Sequence, residues 1–239
     1  MKKILKKYLD DDHINNLKSV YSTLNRLLQK AMYPYGRFFR TPLRLKKNAR
    51  KKDRKLEIGP GPQRVPGFET LNVVWGADVD YVLNASKKLP FPSGSFNLIY
   101  ASHVLEHIPW YQVQEVVNEW TRILSPGGTI EIWVPDGYKI AKNLIKFEED
   151  GEDYSHLDGW YRLNPKKNPH IWASARIFSY GDGSGKINDP NWHRTLLTPK
   201  LLEDLLSGSG LINIKTLETH EVRGHDHGWI NLGMIGTKP

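Results

Sequence analysis

Short apolar runs alternate with longer amphipathic stretches along most of this chain, and that alternation predicts an α/β fold. The runs that have the length of β-strands are 55–58, 70–74, 79–83, 96–101, 129–134, 211–218 and 229–236. The patterns between the first five runs are helical, so we expect parallel pairing with crossover connections. Only the polar segment 220–228 separates the last two runs, and it is too short for such a crossover. These two runs should therefore form an antiparallel pair at one edge of the sheet.

Amphipathic helices are predicted by apolar residues that recur at intervals of three and four. The stretches with this spacing are 10–32, 111–124 and 199–207. We expect the first to pack on the domain that follows it. The sequence Pro126-Gly127-Gly128 should end the second helix, and Thr198 is a candidate N-cap for the third.

The regular pattern breaks down between residues 150 and 195, where Gly, Pro and Asn are frequent. The same segment contains the aromatic residues Trp160, Tyr161, Trp172, Phe178, Tyr180 and Trp192. A disordered loop is poor in aromatic residues. We therefore interpret 150–195 as an ordered insertion that lies over the strand ends.

The positive charge is concentrated at the start of the chain. Residues 1–55 contain 17 Lys and Arg against four Asp, whereas residues 56–239 contain 17 Lys and Arg against 22 Asp and Glu. We predict a basic, helical N-terminal arm over 1–54 and a separate domain over 55–239 that carries the insertion. The most basic part, 37–55, is either a solvated linker or a contact surface for nucleic acid, a nucleotide-linked sugar or an anionic lipid surface.

The sequence lacks the features of a membrane-spanning or a secreted protein. No apolar run approaches the roughly 20 residues that a membrane span needs, and the Lys-rich start lacks the apolar stretch of a signal peptide. We expect a cytoplasmic protein without a transmembrane segment. The chain has no cysteine, which excludes thiolate catalysis and cysteine-based zinc sites, and we expect no metal site.

The first strand of the domain runs directly into a glycine turn, Gly59-Pro60-Gly61, two residues after Glu57. Glycine permits positive φ and leaves the backbone open to close approach by a ligand. A dinucleotide fingerprint needs a third glycine, and this chain has Arg64 there. Pro60 lacks an N–H group, and Glu57 would repel a pyrophosphate, so a dinucleotide is disfavoured.

Four blocks in order carry a resemblance to a known family. They are Glu57-x-Gly59-x-Gly61, then 89–96 (Leu-Pro-Phe-Pro-Ser-Gly-Ser-Phe), 102–107 (Ser-His-Val-Leu-Glu-His) and 123–128 (Ile-Leu-Ser-Pro-Gly-Gly). Over residues 55–146, and more weakly over 193–237, the chain resembles a class I S-adenosylmethionine-dependent methyltransferase of type 11. The resemblance implies S-adenosylmethionine as cofactor. It also implies a Rossmann-like, doubly wound seven-stranded sheet, mostly parallel with an antiparallel last strand, and helices on both faces.

The resemblance also implies the cofactor-binding residues, which are Glu57, Gly59, Pro60, Gly61, Asn72, Asn84, Ala85, Ser102 and His103. In the family an acid at the position of Asn72 takes both ribose hydroxyls, and the residue at Asn84 is usually Asp. Asparagine lacks the charge and the paired acceptors of a carboxylate, so we expect weaker cofactor binding unless Asp78 or Asp80 substitutes. Glu57 can attract the amino group of the methionyl moiety.

The candidate catalytic residues are His103, Asp136 and His193. His103 is nearest the end of the fourth strand and suits a base that acts near neutral pH; the neighbouring Glu106 and His107 either take part or brace the helix start. Asp136 lies on the ligand side of the sheet or is the N-cap of the next helix, and His193 either reaches the acceptor or joins the insertion to the core. We interpret 225–227 (His-Asp-His) as an exposed turn rather than a metal site.

These observations predict a methyltransferase that acts on a hydroxyl, or on a nitrogen, of a small-molecule or glycan-like acceptor held under the insertion. Aromatic side chains in 150–195 would stack on sugar faces or flat rings. One alternative is an RNA methyltransferase that uses the basic arm to track phosphates. The other is a non-catalytic binding protein on a methyltransferase scaffold, which the two asparagines suggest.

Overall fold

The computed structural model describes residues 11–61, 64–159, 164–178 and 191–239. Its α-helices are α1 (Asp11–Pro34), α2 (Thr41–Asn48), α3 (Val113–Ile123), α4 (Gly137–Asp150), α5 (Pro169–Phe178) and α6 (Pro199–Gly208). A π-helical segment, Tyr35–Arg40, joins α1 to α2. Short 3₁₀ turns lie at Leu105–His107, Ser155–Leu157, Thr219–Glu221 and Gly228–Ile230. Its strands are β1 (Lys55–Ile58), β2 (Glu69–Asn72), β3 (Tyr81–Val82), β4 (Phe96–Ser102), β5 (Leu124–Pro135), β6 (Ile212–Leu217) and β7 (Asn231–Thr237).

One seven-stranded sheet has the order β3-β2-β1-β4-β5-β7-β6. The pairs among β1 to β5 are parallel, whereas β7 is antiparallel to both β5 and β6. The predicted α/β sheet, mostly parallel with an antiparallel closing pair, is confirmed. Because β1 and β4 are neighbours, their carboxyl ends meet at a point where the strand order reverses, which is where open α/β sheets bind ligands.

The main core lies between the sheet and the two helices α3 and α6. The apolar stripe of α3 is buried, and it consists of Val113, Val116, Val117, Trp120 and Ile123. Leu202, Leu205 and Leu206 of α6 join the same core, and α6 packs on α3, β6 and β7. Thr198 caps α6 by accepting a hydrogen bond from Leu201 N–H, as predicted.

On the opposite face of the sheet, a separate cluster of side chains covers the centre. Tyr100 of β4 and Trp133 of β5 pack there against Val65, Phe68 and partly buried side chains from 217–222. We expected a helical crossover after β1. This expectation is wrong for the residues described there, because 59–61 and 64–68 form no helix. This stretch is rich in glycine and proline, which are the poorest helix formers.

The basic segment is partly built into the fold. Thr41 Oγ1 accepts a hydrogen bond from Val82 N–H at 2.9 Å, and Asn48 Nδ2 donates to the Tyr81 hydroxyl at 2.8 Å. Arg54 makes a buried bidentate ion pair with Glu69, at 3.1 and 2.9 Å. The linker interpretation is therefore wrong for 37–48, which are helical. The domain boundary at residue 54 stays a prediction, and these contacts cross it.

Helix α1 does not place its apolar residues in the core. Leu24, Leu27 and Leu28 expose 60%, 58% and 50% of their surface. The expectation that their stripe packs on the domain is wrong, because α3 and α6 cover one face of the sheet and the cluster around Val65 and Phe68 covers the centre of the other. Across the part of the chain that the structure describes, no helix combines the length and the apolar character needed to cross a bilayer.

The described parts of the 150–195 insertion are ordered around α5. Trp172 is fully buried, packs near Trp229, and donates from Nε1 to Asp158 at 2.9 Å. Arg176 pairs with the same carboxylate at 2.6 Å. Trp160, Tyr161 and Tyr180 lie outside the described residues.

Candidate active site

A cavity of about 2030 Å³ opens at the carboxyl ends of β1, β2 and β4. All the predicted cofactor-binding residues line it, namely Glu57, Gly59, Pro60, Gly61, Asn72, Asn84, Ala85, Ser102 and His103. Parallel strands bring their carboxyl ends to the same edge of a sheet, which is why residues from four segments meet. We call the part around the Gly59–Gly61 turn, with Asn72, Asn84 and Ala85, the turn end. The histidine end is formed by His103, His107, His225 and His227.

Gly59 is the residue whose conformation the turn requires. Its φ is +71°, and a Cβ there would lie 2.3 Å from Val104 Cγ2. Its N–H donates to the Leu71 carbonyl at 2.8 Å, which fixes the turn to β2. Gly61 does not have a positive φ. A Cβ on Gly61 would meet no atom within 4 Å, so a ligand can approach the backbone there.

Glu57 is buried directly beneath this turn. Its Oε2 accepts a hydrogen bond from Val65 N–H at 2.8 Å. Burial raises the pKa of Glu57, although the Val65 N–H group and the charge of Arg64 act in the opposite direction. Arg64 donates to the Phe68 carbonyl and to Asp80 Oδ2. It therefore ties the turn to the β3 edge.

The two asparagines at the turn end differ in how their side chains are used. Asn84 Oδ1 accepts hydrogen bonds from Ser86 N–H and Oγ–H at 2.9 and 2.8 Å, which closes a local turn. Asn72 ends β2, and its Oδ1 makes only a long 3.4 Å contact with Val74 N–H. Asn72 is thus the better placed of the two to bind ribose hydroxyls. Neither Asp78 nor Asp80 lines the cavity, so neither substitutes for it.

His103 joins the strand ends to the histidine end. Its φ is +55°, a left-handed conformation that costs roughly 1–2 kcal/mol for a residue with a Cβ. The backbone N–H donates to the Trp133 carbonyl at 2.8 Å. In the ring, Nε2 lies 2.9 Å from Asn231 Oδ1, and Nδ1 lies 3.2 Å from Glu106 Oε1. Both ring nitrogens are therefore held by the protein.

Glu106 forms the centre of a buried cluster with His103, His107 and His193. Burial on its own would raise its pKa, but the contact with His103 and the nearby histidines outweigh burial and lower the pKa to about 2. His107 Nδ1 lies 3.2 Å from the Trp192 carbonyl, and His193 Nδ1 lies 2.8 Å from the Arg176 carbonyl. These carbonyls accept from the Nδ1–H groups and direct both Nε2 atoms inwards.

The same cluster offers ligand types that suit a metal ion. The candidate ligand atoms of Glu106, His107 and His193 all lie within 4.8 Å of one another. An ion that binds its ligands at about 2.1 Å brings them to at most about 4.2 Å apart. His107 Nε2 and Glu106 Oε1 are 4.0 Å apart. The Glu106 carboxylate already has a contact with His103. The expectation that the chain has no metal site stays a prediction.

The interpretation of 225–227 as an exposed turn is wrong for His227. This ring is partly buried and packs on the His103 ring, with centroids 3.8 Å apart and planes tilted by 37°. Burial, together with His103, His225 and Arg176, lowers the pKa of His227 to about 3, against an opposite effect of Glu106.

Asp226 and Asn231 orient this pair of rings. Asp226 Oδ1 accepts from Gly228 N–H at 2.7 Å and from Asn231 Nδ2 at 2.9 Å. The Asn231 amide is therefore oriented so that its oxygen faces His103 Nε2. Sequence reasoning missed Asn231 because it lies 128 positions from His103, and spacing within one segment gives no signal for such a contact.

Of the predicted catalytic residues, only His103 lines the cavity. Asp136 Oδ1 accepts hydrogen bonds from Tyr138 and Lys139 N–H at 2.9 and 3.1 Å, so it is the N-cap of α4, the alternative that the sequence left open. His193 is buried behind His107. Two arginines from the insertion, Arg176 and Arg194, also reach the cavity wall.

Comparison with known proteins finds one family whose description matches part of this chain. Residues 56–132 match the family described as "Methyltransferase domain". An uncharacterized protein of Methanocaldococcus jannaschii is 26% identical over 137 residues, which are 54% of this chain. The chain spans 13% of the length of that curated relative.

Two solved structures are among those with similarity to this chain. An S-adenosylmethionine-dependent methyltransferase from Archaeoglobus fulgidus is 13% identical, with 89% of this chain and 94% of that chain covered and a TM-score of 0.47. One from Methanosarcina mazei is 14% identical, with 81% and 96% covered and a TM-score of 0.45.

The residues that match the family, 56–132, contain the glycine turn, Asn72, Asn84 and His103. They supply β1 to β4, most of β5, and every predicted cofactor-binding residue. Residues 56–132 of this chain are thus similar to a methyltransferase domain, and they contain the residues predicted to bind S-adenosylmethionine.

Proposed function

We propose that this protein transfers a methyl group from S-adenosylmethionine to a hydroxyl, or to a nitrogen, of a small-molecule or glycan-like acceptor. One observation carries the proposal: the predicted cofactor-binding residues line one continuous cavity, which extends beyond them to the histidine end. At about 2030 Å³ the cavity is larger than the roughly 300–1,000 Å³ of an ordinary ligand pocket. It leaves room for an acceptor beside the cofactor.

The residues at the turn end fit the cofactor. Gly61 leaves open space above the backbone, and the Glu57 carboxyl suits the ammonium group of the methionyl moiety. Asn72 provides an amide for the ribose hydroxyls. When bound, the cofactor supplies an electrophilic methyl group on a sulfonium. The protein's main task is then to hold the acceptor atom in line with that methyl group.

The paired rings of His103 and His227 provide the proton-accepting function in this proposal. Each ring nitrogen of His103 has a protein partner, Asn231 for one and Glu106 for the other, so the orientation of the ring is fixed. His227 stacks on that ring, and the His227 ring lines the cavity. His227 is therefore proposed to accept the acceptor's proton, and His103 to position it. Asp136 and His193 support this end of the site through α4 and through the Glu106 cluster.

The cavity rim supports a sugar or another flat acceptor. Tyr111 lines the cavity and is 64% exposed, and Trp110 beside it is 71% exposed. Such rings present large faces to a sugar or to a planar group. Trp172 cannot serve in this way because it is fully buried. The stacking surface is thus proposed at 110–111.

An RNA acceptor is less well supported. Three arginines of the basic region are already engaged within the fold: Arg40 donates to the Gly76 and Ala77 carbonyls, Arg44 pairs with Asp80, and Arg54 pairs with Glu69. These groups are not available for phosphates. RNA binding would depend on the remaining lysines and arginines, and it would weaken steeply with salt.

The first test is isothermal titration with S-adenosylmethionine and S-adenosylhomocysteine. We expect binding to the wild type and to the exposed-site control Asn25→Ser, and weaker binding to Asn72→Ala. No binding at millimolar cofactor would refute the proposal.

The second test measures transfer of a labelled methyl group from S-adenosylmethionine to monosaccharides, nucleoside diphosphate sugars and single-stranded RNA. We expect transfer to a sugar-bearing acceptor, with His227→Gln lowering kcat and His103→Gln lowering kcat and raising KM. Transfer to RNA alone would identify the RNA alternative. Cofactor binding without turnover of any acceptor would favour the non-catalytic alternative.

A further inference from the structure

Helix α1 and the segment after it present an uncovered apolar face. The exposed residues of this face, with more than 40% of their surface accessible, are Val20, Tyr21, Leu24, Leu27, Leu28, Tyr35, Phe38, Phe39 and Leu43. At 100° per residue, Val20, Leu24, Leu27 and Leu28 lie within one sector of the helix. Isolated exposed apolar residues are common, but a contiguous stripe of this length marks an interaction surface.

The opposite side of α1 faces the protein. Arg26, Gln29, Lys30 and Tyr33 line the active-site cavity. An amphipathic helix normally turns its apolar face to the core, and α1 has the reverse orientation. Buried contacts of Thr41 and Asn48 hold the following helix α2 on β3. The direction in which the apolar face points is therefore set by the fold.

The charge of the segment decides between candidate occupants. Residues 13–52 contain 11 Lys and Arg and no Asp or Glu. Among them Lys46, Lys47, Arg50, Lys51 and Lys52 are exposed. A second copy of the chain on this face would bring two such segments together without an acid to neutralise them. RNA would neutralise the charge but would leave the apolar stripe in water.

We propose that the apolar face of residues 20–43 docks on an anionic lipid surface. Its leucine, phenylalanine and tyrosine side chains insert at the boundary between head groups and acyl chains, and the flanking lysines and arginines contact anionic head groups. Helix α1 is about 36 Å long and lies flat in the interface. This docking places the rim of the active-site cavity, which α1 borders, next to the lipid surface.

Vesicle sedimentation of the full chain tests this docking. The probes are phosphatidylcholine vesicles with and without phosphatidylglycerol, and we expect binding only when phosphatidylglycerol is present. Leu24→Ser/Leu28→Ser should weaken the binding at least tenfold, because it removes two inserting side chains. Lys46→Gln/Lys47→Gln should weaken it severalfold and reduce its salt dependence.

Matched controls keep the result interpretable. Asn25→Ser on α1 and Lys166→Gln in the insertion should bind vesicles like the wild type. Titration with S-adenosylhomocysteine and circular dichroism should show that Leu24→Ser/Leu28→Ser remains folded, because both leucines are exposed.

Three outcomes would overturn the proposal. The first is equal binding to vesicles with and without phosphatidylglycerol, and the second is no binding to either. The third is a dimer in light scattering that Leu24→Ser/Leu28→Ser dissociates, since this would assign the apolar face to a second copy of the chain. None of these outcomes depends on methyl transfer, so the proposed function is tested separately.

Discussion

The turn end and the histidine end of the cavity differ in how far apart along the chain their residues lie. At the turn end, Glu57, Gly59 and Gly61 follow one another in a single strand and turn, and backbone geometry defines the site. At the histidine end, His103 is held by Glu106 from its own segment and by Asn231, 128 positions away.

This difference has a physical origin. A ligand that lies on the backbone needs a chain with special φ values and without side chains, which is a local property. A histidine that handles a proton needs its tautomer and orientation fixed by partners on both nitrogens. Those partners come from elements that only the folded sheet brings together. We therefore expect changes at the histidine end to affect stability and pH dependence, and changes at the turn end to affect mainly the ligand.

The largest effect is expected from Glu106→Ala. This change removes the central carboxylate of a buried cluster and leaves His103, His107 and His193 without their shared acid. Its removal leaves several buried polar groups without a hydrogen-bond partner, and each such group costs about 1–3 kcal/mol of unfolding free energy. Urea denaturation of the wild type and the variant would measure this loss of unfolding free energy. The exposed Glu203→Ala, which loses only a surface contact with Lys200, should change stability by less than about 1 kcal/mol. Equal effects would mean that the cluster does not stabilise the fold.

Gly59→Ala should have the next largest effect. The substituted residue keeps a φ of +71° only with strain, and its Cβ would meet Val104 at 2.3 Å. We expect a loss of about 1–3 kcal/mol in stability and weaker binding of S-adenosylhomocysteine. Gly61→Ala is the matched control: its Cβ meets no atom within 4 Å, so stability should be unchanged while ligand binding still weakens. If Gly61→Ala left ligand affinity unaltered, the ligand would not lie against that backbone.

A pH titration of stability should reveal the histidine end directly. His227 has a pKa of about 3 in the folded state, against an ordinary value of 6.5 for histidine, because it is buried and faces His103, His225 and Arg176, with Glu106 opposing. Between these two values the unfolded chain binds the extra proton. Stability should therefore rise with pH from about 3 to 6.5 and be lost as the pH falls through that window.

Urea midpoints measured across this pH range would show the effect. His227→Gln should flatten the slope, since glutamine does not titrate. Glu106, whose pKa is lowered to about 2, contributes in the same direction, with stability present above its ordinary pKa and lost as the pH falls towards 2. A slope that His227→Gln leaves unchanged would assign the dependence to Glu106 and not to the ring.

The smallest effect is expected from Asn72→Asp. A carboxylate there offers paired acceptors to the ribose hydroxyls, and the gain should be about 1–2 kcal/mol, or roughly tenfold in affinity for S-adenosylhomocysteine. Asn84→Asp should change affinity less, because Oδ1 of Asn84 is already used by Ser86. Isothermal titration calorimetry would measure the affinity of each variant for S-adenosylhomocysteine. If the two variants gained equally, the structural distinction between the asparagines would be wrong.

The amphipathic helices show how far a sequence pattern predicts burial. The apolar stripes of α3 and α1 look alike in the sequence, and both helices form where the pattern predicts them. The stripe of α3 is buried against β4 and β5, whereas that of α1 faces outwards. The pattern states which side of a helix is apolar. It does not state what covers that side, because this depends on the other elements that compete for the sheet.

Side-chain contacts show the same limit: they could be predicted where both partners lie close together in the chain, and not where they lie far apart. Thr198 was predicted as an N-cap and is one, since capping involves residues within one turn of each other. Asp136 had two local interpretations, and the fold selects the cap. His227 was misinterpreted because its partner, His103, lies on a different strand end.

The sequence by itself predicted the seven strands, three of the helices, the antiparallel closing pair and the glycine turn. These features follow from periodicity, turn chemistry and short-range spacing. Only the tertiary structure decided that Asn231 and His227 meet His103, that Arg54 is buried against Glu69, and that α1 turns its apolar face outwards. Each of these depends on contacts between residues that are distant in the chain, which local patterns do not encode.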